Sequence, residues 1–77
     1  MQELLQFLAT ALVDDTDAVK VERFDEDGDV VLELTVAEDD LGRVIGRAGR
    51  VAGALRTVMK AAAAARSEPR VIVEILD

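Results

Sequence analysis

Asp27-Gly28 stands between two runs whose apolar residues recur at every second position. Gly tolerates the positive φ that a two-residue turn requires, so the dipeptide is a hairpin signal. Before it, Val19 and Val21 share one face while Lys20 and Glu22 share the other. After it, Val30, Leu32, Leu34 and Val36 point inward, and Val31, Glu33 and Thr35 point outward. A hairpin with one apolar face is marginal alone, so the rest of the chain must cover it.

The flanking segments read as that cover. Residues 2–13 carry Leu4, Leu5, Leu8, Ala11 and Leu12 at helical spacing, which predicts a three-turn amphipathic helix. It stops at Asp14-Asp15, residues that favour local side-chain hydrogen bonds over a helix interior. Glu38, Asp39 and Asp40 sit where a helix N-terminus favours negative charge, opening a short helix from Asp40 to Ile45. A second helix runs from about Arg50 to Arg66, with Val51, Ala54, Leu55, Val58, Met59, Ala62 and Ala65 on its apolar face. Pro69 pushes Glu68 out of helical geometry, and Val71, Val73 and Ile75 give a last strand. The expected architecture is α+β, in the order α-β-β-α-α-β, with a three-stranded sheet and helices packed on one face. Ala61 to Ala65 is strong helix-forming composition whose small side chains suit close packing in a dimer.

Composition excludes several chemistries. The 77 residues include no Cys and no His, so disulfides, zinc sites and histidine acid/base catalysis are absent. No nucleophile–base pair is visible, and neither an enzyme nor a cofactor is expected. Asp25-Glu26-Asp27-Gly28-Asp29 fails as an EF-hand loop: counted from Asp25, Gly28 is fourth and Val36 stands where the glutamate belongs. No apolar run is long enough to cross a bilayer and no export signal is recognisable, so a cytoplasmic protein without membrane insertion is expected.

The net charge of −7 argues at first against a polyanionic partner. Its distribution reverses that reading. Residues 1–40 hold two basic and thirteen acidic side chains, whereas residues 41–70 hold seven basic ones against Glu68 alone. Inside the basic segment lies Val44-Ile45-Gly46-Arg47-Ala48-Gly49-Arg50, a Gly-x-x-Gly turn between two helices. Glycines there let another backbone approach, and the first N–H groups of the second helix, with its dipole, suit a phosphodiester. Arg47 and Arg50 flank that anion site and Arg43 lies one turn before it. Val44 or Ile45 can floor a groove for bases. Arg56 and Lys60, one turn apart on the exposed helix face, are candidates for a secondary phosphate contact.

Asp40 to Ile45, the Gly46–Arg50 turn, the Ala-Leu-Arg-Thr-Val-Met-Lys run from 54 and the closing Arg70–Ile75 strand together resemble the KhpA family, small bacterial RNA-binding proteins made of a single KH domain. The resemblance spans residues 1–77 and implies a type II KH-like fold. It implies that Gly46, Arg47, Ala48 and Gly49 clamp the backbone of single-stranded RNA. Val44 and Ile45, with apolar positions on the following helix and on the Val30–Val36 strand, would then form the base groove. Ala48 and Gly53 depart from a more basic pattern, so weaker binding than is usual in the family is expected. The resemblance also implies RNA chaperoning or post-transcriptional regulation linked to cell-envelope growth. The alternative it carries is a protein-interaction module, acting as a homodimer or with a KhpB (Jag)-type KH protein.

Overall fold

A computed structural model describes all 77 residues, Met1 to Asp77. Helix α1 (Gln2–Leu12) is followed by strands β1 (Lys20–Glu26) and β2 (Asp29–Thr35), helices α2 (Leu41–Ile45) and α3 (Arg50–Ala65), and strand β3 (Val71–Ile75). The sheet order is β1-β2-β3, antiparallel between the first two and parallel between the last two. The expected α-β-β-α-α-β order is therefore the observed one. The hairpin turn has Asp27 at φ 51° and Gly28 at φ 86°, both left-handed as a type I′ turn demands. At the far end of α3, Ser67 turns left-handed and Glu68 N–H bonds back to Ala63 O at 2.9 Å, closing the helix before Pro69.

The core lies between the sheet and the helices. Leu5 and Ala9 of α1, Val19, Val21, Val30, Leu32 and Leu34, Val44 of α2, and Leu55, Met59 and Ala63 of α3 pack together. The expected apolar face of α3 is only partly the buried one. Ala52, Leu55, Met59 and Ala63 form the buried stripe, while Ala54, Val58 and Ala65 are exposed. The sheet covers one flank of a wide apolar surface and leaves the other beside α1. Val31 also departs from expectation: it faces away from the helices yet is buried. As the middle-strand residue it is flanked directly by Phe24 and Ile72.

Helix side chains shield both sheet edges. Val19 and Val21 turn their carbonyls away from β2, and Gln6 and Gln2 donate to them at 3.2 and 2.6 Å. On the opposite edge Arg56 Nε donates to Val73 O at 3.2 Å. Such capping removes acceptors that would otherwise template another strand.

On the outer face the register places Glu22, Glu33 and Glu74 directly opposite one another in a row. Like charges so placed repel. Glu33→Lys is therefore expected to stabilise the fold by on the order of 1 kcal/mol, read as a higher urea midpoint at unchanged slope. A midpoint that stays or falls would show that the row is already screened by solvent.

Candidate nucleic-acid interface

Helix α2 ends when Gly46 N–H bonds to Gly42 O at 2.9 Å and the chain leaves helical geometry at φ 75°, ψ 171°. That conformation is open essentially to Gly alone. A Cβ on Gly46 would also lie 2.5 Å from Val51 Cγ2 and 2.8 Å from Val51 N. Gly46 is thus required by the chain's own packing, a different reason from the approach of a foreign backbone. Ala48 (φ 55°) and Gly49 (φ 74°) are left-handed, and Gly49 N–H closes the turn on Gly46 O at 3.1 Å. Nothing lies within 4 Å of where a Gly49 Cβ would stand. At Gly49 the space is open.

Helix α3 then begins with Gly49 as its N-cap and no side-chain cap on its opening N–H groups. The Arg50 N–H is taken by Arg47 O, and the N–H groups after it, with the helix dipole behind them, attract anions. Arg47 and Arg50 are exposed here and neither forms an ion pair. Two other cations of the basic segment are neutralised. Arg70 is bonded to both carboxylate oxygens of Asp29, with Nη2 at 2.7 Å. Arg43 is held between Asp14 Oδ2 at 3.0 Å and Asp40 Oδ1 at 3.3 Å. Lys60 is exposed, while Arg56 is the guanidinium that caps Val73.

The structure separates Val44 from Ile45. Val44 is fully buried in the core and cannot meet a base, whereas Ile45 is 37% exposed beside the turn. Likewise Leu32 and Leu34, inward residues of the Val30–Val36 strand, are fully buried beneath the helices and cannot meet a base. Helical periodicity could not tell these apart, because a five-residue helix shows too little of its apolar stripe. Phe24 lies on the sheet face away from the helices, so it offers no stacking surface on the helical side.

Asp40 has a structural role that nothing in its sequence neighbourhood signals. It is the one buried charged side chain, 3% exposed, and caps no helix. Its carboxylate accepts Asp15 N–H at 3.0 Å and Asp14 N–H at 3.2 Å. Those bonds, and not the Asp14 and Asp15 side chains, take the chain away from α1. They hold the Asp40 carboxyl below its usual pKa, with the Arg43 charge adding to the effect. A lowered folded pKa means stability that is complete above the ordinary carboxylate value and lost as pH falls through the folded one. Acid unfolding followed by circular dichroism should therefore show a loss below about pH 4 that Asp40→Asn removes. Identical acid limbs for the two proteins would contradict this.

The model of the KhpA/KhpB KH domain matches residues 2–75.

The chain belongs to the KhpA/KhpB family of KH domains.

It is 49% identical over 76 residues to the RNA-binding protein KhpA of Caldanaerobacter subterraneus, covering 99% of this chain and all of that one. The KhpA of Clostridium acetobutylicum is 47% identical over 76 residues with the same coverage, and that of Aquifex aeolicus 39% over 77 residues, covering all of this chain and 96% of its own. No solved structure matches. KhpA is a non-catalytic family, and this chain has neither Cys nor His. No helix is long and apolar enough to cross a membrane.

Proposed function

We propose that this protein binds single-stranded RNA through its phosphate backbone, at the Gly46–Gly49 turn. The observation that carries the reading is the conjunction at that turn: an uncapped 16-residue helix N-terminus, open space at Gly49 and two unpaired arginines. The names of its KhpA relatives support RNA as the polyanion. Arg47 and Arg50 take phosphates, Ala48 and Gly49 let the strand come close, and Ile45 offers an aliphatic surface to a base. Lys60, and the guanidinium of Arg56 beyond its Val73 bond, provide a secondary contact along α3. With no Tyr or Trp, Phe24 facing away and the exposed Phe7 grouped with Gln2, Glu3 and Gln6 on α1, bases are read weakly and sequence specificity is low. The acidic outer sheet face repels RNA and confines it to the helical side. The cellular role that goes with this reading is RNA chaperoning or post-transcriptional regulation in the cytoplasm, linked to cell-envelope growth.

A labelled single-stranded RNA titrated at several salt concentrations tests it. Dissociation constants of roughly 10⁻⁴–10⁻⁶ M are expected at physiological salt. The two primary phosphate contacts of Arg47 and Arg50 give a slope of log K against log salt of about −1.4, which the secondary contact along α3 steepens. Binding that ignores salt would sink the phosphate-clamp reading, and a parallel single-stranded DNA titration shows whether the 2′-hydroxyl matters.

A second reading is supported by one specific observation. Between α1 and α3 lies a wholly apolar groove of about 240 Å³, lined among others by Leu8, Leu12, Ala54, Leu55 and Val58, with Val58 45% exposed. A homodimer, or a pairing with a KhpB-type KH domain, would cover it. The groove lies on the first half of α3, not on the Ala61–Ala65 run, whose Ala63 is already in the core. Val58→Asp is expected to shift sedimentation toward the monomer while leaving the turn intact. An unchanged distribution for a self-associating parent would place the contact elsewhere.

A further inference from the structure

We propose that Asp40 and Arg43 form a pin that positions the glycine turn, so that Arg43 acts on the turn's placement and not on a phosphate. The proposal rests on the RNA-binding reading for its ligand, but its structural half can be examined without one.

Helix α2 has five residues, too few to be stable alone, so its orientation is fixed by what holds its two ends. At its C-terminal end Gly46 sits against Val51, which locks the turn to α3. At its N-terminal end the Asp40 carboxylate receives the Asp14 and Asp15 N–H groups from the segment after α1. Arg43 completes this junction. Nε lies 3.3 Å from Asp40 Oδ1 and Nη2 3.0 Å from Asp14 Oδ2, so two nitrogens of one planar guanidinium face two separate carboxylates. Buried Val44, between the two ends, transmits any shift of the junction to the turn through the packed core. To meet a phosphate, Arg43 would have to leave two carboxylates. Arg47 and Arg50 have none to leave.

Charge logic and pin logic predict opposite signs. If only local charge mattered, Asp40→Asn would remove a negative group near the site and tighten RNA binding. If Asp40 is a pin, the same change weakens binding, because the amide turns a donor toward one of the two backbone N–H groups. A phosphate-contacting Arg43 would tolerate Lys, whereas a pin would not, since one ammonium nitrogen would replace two guanidinium nitrogens that each face a different carboxylate.

The test compares Asp40→Asn, Arg43→Lys, Arg43→Gln and Arg50→Gln with the parent, using an eight-nucleotide uridine oligomer over a salt series. Both Arg43 variants and Asp40→Asn are expected to bind on the order of tenfold more weakly, with the salt slope unchanged. Arg50→Gln is expected to flatten the slope by about 0.7. In the ligand-free proteins, amide resonances of Gly46 to Gly49 should move in Asp40→Asn and Arg43→Lys, and the Asp14 and Asp15 amides should exchange faster. Parent-like binding by Arg43→Lys, a slope flattened by about 0.7 in Arg43→Gln, or tighter binding by Asp40→Asn would each overturn the pin. Should Asp40→Asn fail to fold, the two Arg43 variants decide alone. Absence of salt-dependent binding in the parent would fail the RNA reading, and unmoved Gly46–Gly49 resonances would fail the pin whatever the parent binds.

Discussion

The double variant Arg47→Asp, Ala48→Asp is expected to bind single-stranded RNA at least tenfold more weakly than the parent, and on the order of a hundredfold more weakly at low salt. The change removes one unpaired cation and sets two carboxylates in front of an uncapped helix N-terminus. The fold should tolerate it. Arg47 and Ala48 are exposed, and Ala48 sits at φ 55°, ψ 26°, a left-handed conformation that Asp adopts more readily than most residues. Both glycines stay in place. Fluorescence anisotropy across a salt series measures the binding, and circular dichroism checks that the melting transition persists. A folded variant that binds RNA like the parent would remove the turn from the interface. The alternative, an interaction module working through the α1–α3 groove, would then take precedence.

Replacing either glycine of the turn by Ala should have unequal consequences, although the sequence presents the two as equivalent. Gly46→Ala forces a side chain into a backbone conformation that costs about 1–3 kcal/mol and drives its Cβ onto Val51 for about 1–3 kcal/mol more. A domain of 77 residues has roughly 4–12 kcal/mol of stability in all, so this change removes a large share of it. Gly49→Ala costs only about 1 kcal/mol, because the left-handed backbone is its sole penalty and the added methyl meets open space. Its larger effect should fall on binding, since that methyl stands where the strand would approach. Urea unfolding separates the two in stability and anisotropy separates them in affinity. Equal destabilisation by both changes would contradict the Gly46–Val51 contact.

The two glycines show how far the sequence could be read. Spacing and the Gly-x-x-Gly pattern placed the turn between two helices, and the observed helices end at Ile45 and begin at Arg50. The use of each glycine depends on Val51, whose position follows from how α3 leaves the turn. The arginines divide in the same way. Arg43, Arg47 and Arg50 look alike as a cluster of positive charge along the chain. Two carboxylates, 29 and three residues earlier, single out Arg43.

The local patterns of the chain determined its elements, their order and the basic character of residues 41–70. Alternation, helical spacing, the Asp27-Gly28 turn and the placement of glycine and proline all act between near neighbours, so they are legible in one dimension. The absence of Cys and His likewise bounds the chemistry without any fold. Tertiary structure alone decided which flank of α3 is buried, that Val44 is core while Ile45 is surface, and that Arg43 and Arg70 are neutralised. It also made Asp40 a buried anchor, since two N–H groups brought from the end of α1 compensate its loss of water. Burial and pairing depend on which distant groups fold against a residue, and the net charge of −7 contains no trace of which cations are left free.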